Sequence, residues 1–148
     1  MKKFPLYTQH DAIDCGPTCL RMIAAFYDKI YPLEQLREMC YLSKEGVSLL
    51  GISEAAEKLG FRSMGVQITL EQLINDISLP CIIYWNQEHF FVLYKIKEKR
   101  GKITFHVADP SNGYITFTEK EFTKCWFNSY NTNKEDMGVA LCLDTILA

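Results

Sequence analysis

The spacing of apolar residues changes from a helical to an extended pattern at Pro80. Before Pro80, four segments have helical spacing: 15–27, the residues after Pro32, 49–59 and the residues after Thr69. After it come strand-like runs over 81–85, 89–97, 102–108, 114–117 and 138–144. Ser48 is predicted to cap the helix over 49–59, and capping boxes open a helix at Thr69 with Gln72 and a short helix at Thr118 with Glu121. The polar segment 128–136 is predicted to be a surface loop. Helices followed by antiparallel strands predict an α+β fold with segregated layers.

Length and composition predict one soluble globular domain over residues 1–148. The chain is 48% hydrophobic and 23% charged, and it is long enough to bury a core. Its net charge of -2 gives no reason to expect nucleic acid or an anionic membrane as a partner. The longest apolar runs, 79–85 and 90–94, are too short to span a bilayer. Six cysteines without a secretory signal indicate reduced thiols and a cytoplasmic location.

The segment best suited to catalysis surrounds Cys15. It reads Gln9-His10-Asp11-Ala12-Ile13-Asp14-Cys15-Gly16-Pro17 and places Cys15 in the first turn of the predicted central helix. The positive end of a helix dipole favours thiolate over thiol, which is the form that a nucleophile needs. The Gln9 amide and the Cys15 N–H are close enough in sequence to form a two-donor oxyanion hole. A small buried apolar role for Cys15 is the equally weighted alternative.

A cysteine nucleophile needs a base, and the chain has three histidines. His89 begins a predicted strand directly after a polar segment, where an imidazole is held firmly and can face a cleft. His106 lies in the middle of a strand, where alternation favours a cross-strand pairing role. His10 lies in the loop beside Cys15 and stays open as a candidate. We therefore favour His89 as the base.

Asp109 is the preferred residue to orient that base. A hairpin turn over 99–101 folds the end of its second strand beside the start of its first, so Asp109 and His89 are predicted to be neighbours. An alternative role for Asp109 is to be the first residue of the turn over 109–113. Asn86 is a second candidate to orient the base. The sequence has no Cys-x-x-Cys or His-x-x-x-His pair and no glycine-rich phosphate loop. Neither a metal nor a cofactor is therefore predicted.

Four ordered motifs resemble those of the double-glycine leader peptidase domains, which are papain-like cysteine peptidases at the N-terminus of bacteriocin-processing ABC exporters. The similar segments, which together span about residues 5 to 143, are Gln9 with 14–24, 46–51 with 55–61, 79–94, and 107–110. The resemblance implies a papain-like α+β fold. Its N-terminal helices, with the nucleophile on the central one, pack on an antiparallel β-sheet.

Carried over by position, the resemblance makes Cys15 the nucleophile, His89 the general base and then acid, and Asp109 the orienter. Gln9 becomes the oxyanion-hole side chain. The implied activity is cleavage of the leader of a secreted peptide precursor after a Gly-Gly pair. The implied partners are that leader and the transmembrane and ATP-binding domains of an exporter. This places the chain at the cytoplasmic face of the membrane without inserting into it.

Trp85 and Asn86 lie just before the base in the sequence and are expected to line the substrate cleft. That cleft is expected to be so narrow that only residues without side chains enter it. An amphipathic leader helix is expected to dock on exposed apolar residues of the N-terminal half. A docking module that binds the leader without cutting it is the competing hypothesis, and the presence of all four site residues disfavours it. A papain-like acyl transferase is a third hypothesis, because an amine can also resolve the acyl-enzyme.

Overall fold

The computed structural model describes residues 3–9, 14–40, 48–86 and 88–145. The helices in these ranges are α1 (Cys15–Phe26), α2 (Leu33–Met39), α3 (Leu49–Lys58), α4 (Leu70–Asp76) and α5 (Glu119–Trp126). The strands are β1 (Phe61–Thr69), β2 (Cys81–Trp85), β3 (His89–Lys99), β4 (Lys102–Asp109), β5 (Gly113–Thr118), β6 (Phe127–Tyr130) and β7 (Asp136–Thr145).

Three helices begin at side chains that cap their first turn. The Oγ atom of Ser48 accepts a backbone N–H at the start of α3 at 3.1 Å. Thr69 and Gln72 form a capping box at the start of α4, and Thr118 and Glu121 form one at the start of α5. Each cap binds N–H groups that the first turn of a helix leaves without a backbone partner. All three helix starts agree with the sequence prediction.

The seven strands of the described chain form one antiparallel sheet. Its order is β1-β7-β2-β3-β4-β5, and β6 pairs with β7. Strands β3 and β4 form a hairpin whose turn residues, Arg100 and Gly101, have φ values of 53° and 78°. Positive φ at both turn positions suits the twist of a tight hairpin. The hairpin brings the start of β3, at His89, and the end of β4, at Asp109, to the same end of the sheet.

The centre of the sheet is buried on both faces, and each face carries its own core. Helices α1 and α3 cover one face, where Phe90 and Val92 of β3 point, and α2 packs on these two helices. The other face receives Phe91 and Leu93 and is covered by α4 and α5. Strands buried on both faces are continuously apolar rather than alternating. Helix α1 lies directly against β3 and is buried along most of its length, as its nearly all-round apolar surface predicts.

The predicted α+β architecture is confirmed, including a central helix that bears the candidate nucleophile and packs on an antiparallel sheet. One difference is β1, which lies between α3 and α4 and pairs with β7 alone. Arg62, Ser63 and Gln67 interrupt its apolar pattern, because an edge strand exposes many of its side chains. A second difference is that 128–136, predicted as a loop, contains most of β6 and the first residue of β7.

Candidate active site

Cys15 is the first residue of α1 and has a relative exposure of 8%. Asp14, the N-cap residue, makes no capping hydrogen bond with its side chain. The third residue of the helix, Pro17, has no N–H to satisfy. The backbone N–H groups of Cys15 and Gly16, together with the positive end of the helix dipole, are therefore not used by a capping carboxylate.

The Asp14 side chain turns toward α2. Its Oδ1 atom lies 2.9 Å from Nε of Arg37, and the side-chain exposures are 1% for Asp14 and 32% for Arg37. This ion pair compensates a buried negative charge that would otherwise oppose the helix dipole beside Cys15. Sequence analysis did not identify Arg37, because no local pattern links two residues that lie 23 positions apart.

Cys19 lies one turn beyond Cys15 on the same helix but differs from it in access. Its side chain is fully buried at 0% exposure. Burial raises the pKa of Cys19 well above its usual value, and the negative charges of Cys15 and Asp109 add to this effect. A thiol in such surroundings stays protonated at neutral pH and is closed to a peptide. The position of Cys15 at the helix terminus thus distinguishes it from Cys19.

His89 and Asp109 are in direct contact. Nε2 of His89 lies 3.0 Å from Oδ1 of Asp109, and their side-chain exposures are 23% and 7%. This hydrogen bond, followed by one with Cys15, raises the pKa of His89 to about 9, while burial acts in the opposite direction. Because Asp109 engages Nε2, Nδ1 is the ring nitrogen left for Cys15. At neutral pH His89 is an imidazolium, the partner that a thiolate nucleophile requires.

The Asp109 carboxylate is held by the turn that follows it. The Ser111 N–H donates to Oδ1 at 2.8 Å, and Nδ2 of Asn112 donates to Oδ2 at 3.1 Å. Burial raises the pKa of Asp109, but hydrogen bonds from His89, Ser111 and Asn112 outweigh it and hold the pKa below its usual value. One carboxylate therefore contacts the base and also opens the turn. Sequence analysis missed Ser111 and Asn112, although the Asp-Pro-Ser-Asn-Gly pattern is typical of such a turn.

Gln9 is anchored beside the same turn. Its backbone N–H donates to the carbonyl of Pro110 at 2.9 Å, directly after Asp109. The side chain is half-buried, with its Oε1 atom buried. This contact ties the N-terminal segment to the end of the sheet at which His89 lies. The residues between Gln9 and Asp14, including the candidate base His10, lie outside the described residues.

Of the remaining candidates, Trp85 is the strand partner of His89 in the β2–β3 pair. Trp85 is 9% exposed and packs on Phe91, Phe117 and Phe122, which favours a supporting role over direct contact with a substrate. Asn86 is exposed, with φ of 51°, and its N–H donates to the Cys125 carbonyl at 3.0 Å. His106 lies in mid-strand, where its ring nitrogens are 3.4 Å from the hydroxyls of Thr104 and Thr116.

Two features are absent from the described residues. No three His, Cys, Asp or Glu side chains in these ranges are grouped so that they could hold a metal ion. None of the helices from α1 to α5 is long and apolar enough to cross a membrane.

Solved structures of similar fold share this arrangement of helices and sheet. A double glycine motif protease from an AMS/PCAT transporter, solved in complex with the leader peptide, superposes with a TM-score of 0.82 at 33% identity. That match covers 95% of this chain and 91% of the other. The peptidase domain of Streptococcus ComA, described as a bifunctional ABC transporter involved in a quorum-sensing pathway, has a TM-score of 0.78 at 26% identity. It covers 97% of this chain and 99% of the other.

Curated relatives are much longer than this chain. The Colicin V secretion/processing ATP-binding protein CvaB of Escherichia coli is 31% identical over 83% of this chain and 17% of its own length. The Lactococcin-G-processing and transport ATP-binding protein LagD of Lactococcus lactis subsp. lactis is 35% identical over 85% of this chain and 18% of its own length. The model of the Peptidase C39 family matches residues 3–130. The chain therefore belongs to the Peptidase C39 family, a family of cysteine peptidases.

Proposed function

We propose that this chain is a single cysteine peptidase domain that cleaves the leader of a bacteriocin-like or other secreted peptide precursor after a Gly-Gly pair. The observation that carries the proposal is the 3.0 Å contact of His89 with Asp109, together with the interaction with Cys15, the first residue of α1, that helps to raise the pKa of His89. The similarity to a double glycine motif protease solved with its leader peptide supports the same substrate class.

Acylation begins when Sγ of Cys15 attacks the carbonyl carbon of the scissile peptide bond. The C–S bond forms, and negative charge moves to the carbonyl oxygen, where the Cys15 N–H and the Gln9 side-chain amide donate hydrogen bonds. The His89 imidazolium then gives its proton to the leaving nitrogen as the C–N bond breaks. Asp109 holds the imidazole ring in orientation and stabilises its charged form.

Deacylation reverses these proton movements. A water molecule attacks the thioester carbonyl while His89, now neutral, takes one of its protons. The C–S bond breaks, and the thiolate–imidazolium pair of Cys15 and His89 returns. The leader leaves as a C-terminal glycine carboxylic acid, which releases its proton to solvent. No metal or cofactor enters this sequence of steps.

The Gly-Gly preference follows from a cleft that excludes side chains next to the scissile bond. Asn86 is exposed, lies three residues before His89 and lines that cleft. Trp85 is buried and supports the cleft wall from the core. An amphipathic leader helix docks its apolar side on the N-terminal half of the domain. In an exporter, the domain works at the cytoplasmic face of the membrane beside transmembrane and ATP-binding domains. The names of two relatives, a secretion/processing and a transport/processing ATP-binding protein, support the ATP-binding partner.

The test is cleavage of a synthetic precursor peptide whose leader ends in Gly-Gly, with the product masses read by mass spectrometry. Wild type and Cys19→Ala should both cut after the second glycine, whereas Cys15→Ala should bind the leader but not cut it. Cys19→Ala is the matched control, because both cysteines lie on α1 and only Cys19 is fully buried.

Three results would count against the proposal. Cleavage by Cys15→Ala would remove Cys15 from the nucleophile role. Equal leader binding by all three proteins without any cleavage would identify a docking module instead. Release of an amide rather than a carboxylate when amines are added, with no hydrolysis in their absence, would favour an acyl transferase.

A further inference from the structure

The tip of the β3–β4 hairpin carries a dense positive surface. We call it the basic face; its members are Lys95, Lys97, Lys99, Arg100 and Lys102. All five side chains are exposed. They are five of the 16 basic residues in a chain whose net charge is -2. The net charge, which gave no reason to expect an anionic partner, is an average that conceals this cluster.

Strand register places the basic face on one side of the sheet. Lys97 pairs with Thr104, and Lys99 pairs with Lys102. Directly paired residues of antiparallel strands project from the same face. Glu98 alternates to the opposite face, so it does not interrupt the row. The lysines of β3 therefore form a line along one side of the hairpin.

The basic face has no acidic partner in the described part of the chain. None of its five cations lies within 4.0 Å of a carboxylate of the described residues. The pKa of the neighbouring His106 is lowered, first by burial and then by the positive charges of Lys95 and Lys97. Five uncompensated positive charges in close proximity repel one another unless an anionic partner is bound.

Hydroxyl and aromatic groups adjoin the positive charges. Thr104 and Thr116 line a shallow depression with the lysines. On the same side, Phe26 and Tyr114 are 42% and 37% exposed and line an adjoining depression that also contains Lys95. Basic side chains flanked by exposed aromatic rings are the combination found at membrane–water interfaces.

We propose that the basic face binds the surface of a membrane containing anionic lipids. Lysine is a hydrated point charge on a flexible stem, which suits a fluid array of phosphate headgroups better than one fixed carboxylate geometry. The basic face is also remote from the catalytic cluster, because β3 runs 11 residues from His89 to Lys99, which is about 35 Å. A membrane bound at the hairpin tip leaves the other end of the sheet open to substrate.

The test is co-sedimentation of the protein with phosphatidylcholine vesicles that contain or lack phosphatidylglycerol. Wild type should bind only the anionic vesicles, and added salt should release it. Each neutralised lysine should weaken binding about 5-fold, so Lys97→Gln/Lys99→Gln should weaken it about 25-fold. The matched control is Lys120→Gln/Lys124→Gln, in which two exposed lysines of α5 lose the same charge; it should change binding by less than about 2-fold.

Two measurements make the result decisive. Thermal unfolding of both double variants should match wild type, because all four lysines are exposed. Equal loss of vesicle binding in the two variants, or binding that does not depend on phosphatidylglycerol, would overturn the proposal. Binding of polyglutamate without binding of anionic vesicles would also overturn it and assign the basic face to an acidic polypeptide.

Discussion

Nε2 of His89 and Oδ1 of Asp109 lie 3.0 Å apart although 20 residues separate them in the chain. The β3–β4 hairpin makes this contact, because it returns the end of β4 to the start of β3. The same carboxylate accepts hydrogen bonds from Ser111 and Asn112, so the turn fixes the group that orients the imidazole. The β3–β4 hairpin thus supplies the base and its orienter, and the turn between β4 and β5 supports that orienter.

The pH profile of cleavage should report the His89–Asp109 contact. Because the pKa of His89 is raised to about 9, kcat/KM of wild type should fall as the pH rises through that value and the imidazolium loses its proton. Asp109→Asn removes the largest cause of the shift, so the alkaline limb should move to lower pH, and kcat should fall about 10²- to 10⁴-fold. Asn112→Ala should move the alkaline limb less, because it keeps the Asp109 carboxylate. An unchanged limb in Asp109→Asn would contradict the assignment.

Replacing Gln9 should lower kcat rather than leader affinity. Gln9→Ala removes one of the two donors proposed for the oxyanion, so kcat should fall about 10²- to 10³-fold with KM nearly unchanged. The neighbouring exposed residue provides the control, and Thr8→Ala should have wild-type kinetics. Steady-state kinetics on the leader peptide measure both constants. A rise in KM alone would place Gln9 in leader binding instead.

Removing Arg37 should destabilise the domain by leaving the Asp14 carboxylate buried without its partner. Arg37→Gln should lower the free energy of unfolding by roughly 2–4 kcal/mol, and Arg37→Lys should lower it less because the positive charge is kept. Urea unfolding followed by circular dichroism gives the values. The double variant Asp14→Asn/Arg37→Gln should recover part of the loss. If the loss of unfolding free energy in the double variant equals the sum of the losses in Asp14→Asn and Arg37→Gln, the ion pair does not stabilise the domain as described.

Gly138 should tolerate no side chain, because a Cβ atom there would overlap the fully buried indole of Trp126. Gly138→Ala should cost about 1–3 kcal/mol or more of unfolding free energy through overpacking. Gly65 is the matched control: it also lies in a strand of this sheet, and its Cβ would meet Leu49 at an ordinary 3.6 Å. Thermal unfolding of the two variants compares them directly. Equal destabilisation would show that loss of glycine, rather than the Trp126 overlap, sets the cost.

Local patterns of the sequence were sufficient to predict most of the fold. Capping boxes at Thr69 and Thr118 marked two helix starts, and Pro80 marked the change to strands. These features act over a few residues, so they can be read without knowing what packs against them. Strand β1 could not be predicted in this way, because its pairing with β7 joins residues 68 to 84 positions apart and leaves an edge with a polar pattern.

The sequence by itself indicated the candidate nucleophile at a helix N-terminus and placed the base beside its orienter through a hairpin, because both features are local. The packing of α1 on β3, which brings the nucleophile to the base, is a tertiary contact. Only the tertiary structure decided which contacts support them. Arg37 reaches Asp14 from another helix, and Gln9 is tied to the turn after Asp109 by a backbone hydrogen bond. It also decided that the charges of the basic face have no partner in the described chain. Such contacts depend on how distant segments pack, and short-range residue patterns carry no information about that packing.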